Sequence, residues 1–212
     1  MAKVLVDVLK EGTRVDAVVD GVWVSKAICS AVVLLRTAGH SVVVDPGAMG
    51  YADEVLRQLK EKGVEPGDVD IVVNTHLHLD HTYNNYLFSN AVIYTPTSIW
   101  HIDKGNKVEM FSHMTDPHVP GITFLATPGH MDKHISVLAK TDRGRIVIAG
   151  DAIRQELIES GKKPDRYQNP DMYVASMRRI FEVADVIVPG HGPVIKGERL
   201  KALKKKLDSF KD

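Results

Sequence analysis

The chain has almost no cysteine, no net charge and no long apolar run, and each shortage removes a class of function. One cysteine, Cys29, in 212 residues leaves neither a disulfide framework nor a thiolate-built metal cluster. Twenty-seven basic residues balance 27 acidic ones, so no global positive field favours a nucleic-acid partner. No window approaches the length of a membrane span, which argues against a membrane partner. The opening MAKVLVDVLKEG is too short in its apolar run for a signal peptide. These absences lead to the expectation of a cytoplasmic globular protein acting on a small molecule, with self-association left open. At 44% hydrophobic, residues 1–212 read as one domain without internal repeat or low-complexity linker.

Valine-rich stretches predict strands at Lys3–Leu9, Val15–Val19, Val22–Val24, Ala27–Leu35 and Ser41–Asp45, separated by turn signals. Residues 51–62 predict a helix with Val55, Leu56 and Leu59 on one face. A buried strand follows at Val69–Val73, a short helix near Asn84, and a strand at Ala91–Thr95. Residues 97–120 show little period. Strands resume at Ile122–Ala126, Ile135–Ala139 and Arg145–Ala149, then a helix over 170–183, a strand at Asp185–Val188 and a helix over Glu198–Phe210. Two strand-rich stretches, each giving way to helices, predict an α/β sandwich of two mixed sheets.

The strand Val69–Val73 empties into His76-x-His78-x-Asp80-His81, four potential metal ligands within six residues. His76 and His78 share a face if the backbone stays extended, and imidazole and carboxylate suit zinc, iron or manganese. A solvated histidine-rich loop is the alternative. Three weaker signals also follow predicted strands: Pro128-Gly129-His130, Gly150-Asp151 and Pro189-Gly190-His191-Gly192. In each, glycine permits a tight backbone near the polar residue. Alone, each is an ordinary turn. Together with the dense motif they supply seven ligands, enough for two ions.

THLHLDH, TPGH, AGD and PGHG, in this order and at these separations, resemble the metallo-β-lactamase superfamily over nearly the whole chain. The resemblance implies a four-layer αββα sandwich, class α/β (α+β), with two mixed β-sheets and the metal site at one edge. Carried over by position, His76, His78 and His130 would hold one divalent ion and Asp80, His81 and His191 a second, with Asp151 between them. Zinc is the first expectation, iron or manganese the alternatives. Aspartate at 151, with Cys29 far upstream, turns the expectation away from antibiotic hydrolysis and toward glyoxalase II, lactonases and RNA-processing hydrolases. The chain has no room for the inserted domain of β-CASP nucleases, and His78 is not the glutamate of diiron flavoproteins.

The implied chemistry is metal-assisted cleavage of an ester, lactone or thioester by a hydroxide shared between two cations, with Asp80 orienting it. A phosphodiesterase or ribonuclease of the same fold is one alternative. A persulfide dioxygenase holding one iron with His76, His130 and Asp151 is another. Asp45, at a strand end before Pro46-Gly47, is either an ordinary turn aspartate or a group that fixes an imidazole tautomer. His134 resembles a second histidine common in relatives and is read as structural. Tyr83 stands where many relatives carry glycine, as a hydrogen-bond donor to substrate or a pocket wall. His101, His113 and His118, in the aperiodic stretch, are further candidates for substrate contact. The pocket walls are assigned to residues 97–120, with Lys104 and Lys107, and to the 152–170 loop. In that loop Arg154, Lys162, Lys163 and Arg166 are the cations within reach of the site. The run Lys201, Lys204, Lys205, Lys206 reads as the solvated face of the last helix.

Overall fold

Runs of β-branched residues without helical period become strands because their stiff side chains pack well on a pleated, buried surface. In the computed structural model, residues 3–37, 39–111, 116–161 and 169–210 are described. The strands of the first half are β1 (Leu5–Lys10), β2 (Thr13–Val19), β3 (Val22–Cys29), β4 (Val32–Thr37), β5 (His40–Val44), β6 (Ile71–Val73), β7 (Val92–Tyr94), β8 (Ser98–His101) and β9 (Lys107–Met110). The second half contributes β10 (Ile122–Ala126), β11 (Ile135–Thr141), β12 (Gly144–Gly150), β13 (Val186–Pro189) and β14 (Ile195–Lys196). The helices are α1 (Ala52–Glu61), α2 (Leu79–Thr82), α3 (Gln155–Ser160), α4 (Pro170–Val183) and α5 (Gly197–Asp208).

Seven strands form one sheet in the order β1-β4-β5-β6-β7-β8-β9, and five form another, β10-β11-β12-β13-β14, with β2-β3 a separate hairpin. Both large sheets are mixed. β5-β6-β7 run parallel in the first and β12-β13 in the second, the other pairs being antiparallel. The central core lies between the sheets, with Val33, Leu35, Val42 and Val44 from one and Phe124, Val137, Ile148 and Val188 from the other. Val55 and Leu59 of α1 join the outer-face residues Leu34, Val43 and Val72 of the first sheet. Met177 and Ile180 of α4 and Leu203 and Leu207 of α5 join Val147 and Ile187 of the second. The result is the expected αββα arrangement. Among the described residues no helix is long and apolar enough to cross a membrane.

This topology sends the C-terminal ends of β5, β6, β10, β12 and β13 into five loops that meet at one edge of the sandwich. Those loops carry Asp45, the His76–His81 stretch, His130, Asp151 and His191. Several local expectations need correction. The strand expected over Ala27–Leu35 breaks at Ser30-Ala31, because both amides leave the ladder to donate to the Asp80 (3.0 Å) and Gly190 (2.8 Å) carbonyls. The helix expected near Asn84 begins earlier, at Leu79, and continues as a 3-10 turn, Tyr83–Leu87. Residues 97–120 contain β8 and β9, each only four residues long and so too short to stand out as a run in the sequence. The 152–170 loop contains α3. Truncating Ile180→Ala, fully buried in the outer core, should cost about 2–5 kcal/mol of unfolding free energy in a urea titration.

Candidate metal centre

β6 is three residues long and buried throughout, so its chain can leave the sheet only at the edge. Asn74, Thr75 and His76 remain buried, while Leu77 and Leu79 face solvent and alternate with the polar residues. The short helix α2 then turns Asp80 and His81 back toward the same point. On the opposite sheet, Gly150 ends β12 and hands over to Asp151, and Pro189 ends β13 two residues before His191. Gly190 has to be glycine for space, since a Cβ there would lie 2.2 Å from Asp151 Oδ1.

Seven side chains converge in two groups, His76, His78, His130 and Asp151 in one and Asp80, His81 and His191 in the other, each with ligand atoms within 4.8 Å of one another. In the first group His76 Nε2 lies 2.9 Å and His130 Nε2 3.2 Å from His78 Nδ1. In the second, Asp80 Oδ2 lies 3.2 Å from His191 Nε2 and 3.6 Å from His81 Nε2. Asp151 stands between the groups. Its Oδ2 is 3.4 Å from His130 Nε2, and its Oδ1 is 3.2 Å from His81 Nε2 and 3.4 Å from His191 Nε2.

The donor set suits divalent cations. His81 Nε2, His191 Nε2 and Asp151 Oδ1 are buried without a hydrogen-bond partner, although they crowd together. Such orphaned polar atoms are costly unless a shared ligand satisfies them. Burial, reinforced by the positive charge of His81, drives His76 far below the usual imidazole range, and burial takes His130 down to about 4. Both therefore keep a lone pair for a cation at neutral pH. Burial alone would raise Asp151, but His81 and His191 hold it well below the carboxylate range. Burial opposes protonation of His191, yet Asp151 and Asp80 raise it to about 9. His81 is likewise lifted well above its ordinary value, against burial, by Asp45 and Asp151.

Outer contacts fix these rings. Asp45 is buried in a left-handed backbone conformation (φ 49°), uncommon for any residue but glycine. Its Oδ1 accepts from the Thr75 amide (2.8 Å), and its Oδ2 from Thr75 Oγ1 (2.7 Å), with His81 Nδ1 also 2.8 Å from Oδ2. Thr75 Oγ1 in turn lies 3.1 Å from His76 Nδ1, so one threonine ties Asp45 to both groups. His134 stacks on His76 with ring centroids 5.0 Å apart, and its Nδ1 lies 2.9 Å from Thr127 Oγ1, outside both groups. The Tyr173 hydroxyl donates to the Asp151 carbonyl (2.6 Å), and Ser176 to the Pro128 carbonyl (2.7 Å), so α4 anchors two of the loops. His191 Nδ1 lies 3.3 Å from the Thr13 carbonyl. Thr13 Oγ1 accepts from the buried Lys10 ammonium (2.9 Å), itself 4.5 Å above the Tyr51 ring.

Sequence reasoning missed Thr75, Thr13 and Tyr173. Thr75 is adjacent to a ligand and could have been suspected, but a backbone carbonyl and a distant helical tyrosine leave no local signal. Tyr83 is exposed, its ring 6.4 Å from that of Tyr86. His101 sits on β8, paired with Glu109 at 3.1 Å. His118 is exposed. His113, Lys162, Lys163 and Arg166 lie outside the described residues.

A histidine–aspartate cluster at the edge of a two-sheet αββα sandwich defines a metallo-hydrolase type of protein. Residues 28–113 match the family described as the metallo-beta-lactamase superfamily, and the chain belongs to it. Metallo-beta-lactamase domain-containing protein 1 of Xenopus laevis is 37% identical over 158 residues, 72% of this chain and 66% of that one. The N-acyl homoserine lactonase of Bacillus thuringiensis is 27% identical over 148 residues, 64% of this chain and 59% of that one. A Thermotoga maritima crystal structure, provisionally described as a metallo-beta-lactamase, shares the fold with TM-score 0.70 at 24% identity, covering 92% of this chain and 100% of that one. The chain spans about three fifths to two thirds of the length of the vertebrate relatives it matches.

Two predictions concern the second group. A cation arriving there displaces protons from both His191 and His81, so affinity should rise as pH increases above 7. Zinc competition titrations with a chromogenic chelator would show this, and a flat profile would exclude a proton-coupled site. Replacing Asp45→Asn removes the acceptor that orients His81 and should weaken metal binding by about 10- to 100-fold in the same assay.

Proposed function

We propose that the chain is a dinuclear metal-dependent hydrolase that cleaves a carboxylic ester, lactone or thioester of small-molecule size. Asp151 carries this reading, because each of its oxygens faces a different imidazole group, as a carboxylate shared by two cations would. His76, His78, His130 and Asp151 would hold one ion, and Asp80, His81, His191 and Asp151 the other, with zinc the first candidate. Divalent ions there supply Lewis acidity, lowering the pKa of water and polarising the acyl oxygen.

Of the second group, only Asp80 keeps part of its side chain open, at 14%, against 0% for His81 and 4% for His191. Burial would raise its carboxyl, but the adjacent His191 imidazole and the charge of His81 hold it below the usual range and therefore ionised. Asp80 is thus placed to accept the proton of an attacking water. Water oxygen bonds to the acyl carbon, the carbon–oxygen or carbon–sulfur bond breaks, and the leaving oxygen or sulfur takes the proton from Asp80.

Acyl substrates are favoured over polyanions because the cleft beside His191 pairs its arginines with carboxylates, Arg14 with Asp16 and Arg154 with Glu156. Its volume, about 380 Å³, is at the small end of small-molecule sites. The lactonase among the relatives supports the same substrate class.

Elemental analysis after dialysis should find about two divalent ions per chain, and Asp151→Ala should lose both ions and turnover while keeping its circular dichroism spectrum. A panel of lactones, thioesters, a chromogenic phosphodiester and single-stranded RNA would then fix the class. One tightly held iron per chain, or metal-dependent phosphodiester cleavage without acyl hydrolysis, would overturn the proposal.

A further inference from the structure

We propose that the apolar cleft beside the first metal group is a substrate subsite, one that takes an uncharged alkyl or aryl arm of the molecule being cleaved. This rests on the acyl-hydrolase reading above and adds to it a substrate class: esters, lactones or thioesters carrying a short apolar group.

The cleft encloses about 220 Å³ and is lined by Leu77, Pro96, Thr97 and Met131, with Asp132 and Lys133 as its charged members, one of each sign. Two of its walls are chain neighbours of the metal group. Leu77 lies between His76 and His78, and Met131 follows His130. Consecutive Cα atoms are about 3.8 Å apart, so the cleft begins one residue from the ligands. Of that group His76, His130 and Asp151 are buried and His78 alone is partly open, so entry to the first ion passes beside Leu77. Leu77 is 58% exposed, directly after the buried Asn74, Thr75 and His76. An apolar group laid over it would gain the burial that the fold leaves unmade. The cleft keeps its shape because its walls are pinned. The Asn74 amide donates to the Tyr94 carbonyl (2.8 Å) and the Ile135 amide to the Thr75 carbonyl (2.9 Å), tying three loops together. Thr95 Oγ1 accepts from the Thr97 and Ser98 amides (3.2 and 2.9 Å), and the Met131 carbonyl from the Gly129 amide (3.0 Å). A preformed cleft spares a ligand the cost of ordering it. Opposite charges at Asp132 and Lys133 give an anion no net attraction, while the flexible thioether of Met131 adapts to alkyl or aryl shapes. The volume falls below the range of whole small-molecule sites and suits one arm of a substrate.

Two ester series test this with the metal-loaded protein. Phenyl acetate, butanoate and hexanoate lengthen the acyl arm; methyl, butyl and hexyl acetate lengthen the alcohol arm. In one series kcat/KM should rise roughly 3- to 4-fold per methylene, carried by KM, and level off once the cleft is full. The series that rises identifies which arm the cleft takes. Leu77→Ser and Met131→Ala should each flatten that slope, Met131→Leu should keep it, and Thr97→Trp should bring the plateau to a shorter chain. A variant that merely lost metal would slow every member of a series equally and leave the slope as it was. No slope in either series, or a slope unchanged in both Leu77→Ser and Met131→Ala, would overturn the subsite. Should no ester be hydrolysed, the acyl reading fails on its own. Calorimetric binding of acetohydroxamate, butyrohydroxamate and hexanohydroxamate, whose head group grips divalent cations, then decides the subsite separately. Affinity rising with chain length, and rising less in Leu77→Ser, supports it; affinity independent of chain length counts against it.

Discussion

A carboxylate that is 3% exposed, facing imidazole nitrogens on two sides, is tolerable only where positive charge reaches both of its oxygens. Asp151 imposes that condition on everything around it. Its carboxyl stays ionised because His81 and His191 are charged or metal-bound, and those rings hold their geometry because Asp45 and the Thr13 carbonyl take their other nitrogens. The buried polar layer at this edge is thus a single electrostatic unit.

The sandwich supplies what that unit cannot. Two sheets share one apolar core, so a loop from the first half and a loop from the second are held against each other without a covalent link. The break at Ser30-Ala31 converts two sheet amides into clamps on the Asp80 and Gly190 carbonyls. Gly12 does similar work by lack of bulk: a Cβ there would lie 1.9 Å from the Gly190 carbonyl oxygen. The apolar cluster on the outer face of the second sheet reaches the ligand set through Tyr173, whose hydroxyl donates to the Asp151 carbonyl.

Around the cluster the walls differ in charge and in the burial of their groups. On the His191 side, buried Arg154 and exposed Glu156 form an ion pair in the wall. On the other side Leu77 and Met131, next in sequence to the ligands His76 and His130, line a smaller apolar cleft of about 220 Å³ with Pro96 and Thr97. The two clefts beside the cluster are thus of unlike character.

The sequence alone determined the candidate ligand cluster and most of the architecture. Closely spaced histidines after a strand of β-branched residues, and glycines beside the other polar positions, are local signals, and the seven converging residues are those that carry them. Valine runs likewise announced the strands, except where β8 and β9 were too short to stand out or where tertiary hydrogen bonds split β3 from β4. Only the tertiary structure decided which polar groups support the ligands and which stand apart. Asp45 and Thr75 lie 30 residues apart in sequence yet share two hydrogen bonds, and His101 pairs with Glu109 across β8 and β9. The charge state of the cleft was equally invisible, because a carboxylate partner for Arg154 is a matter of side-chain packing at long and short range, and sequence spacing records neither burial nor direction.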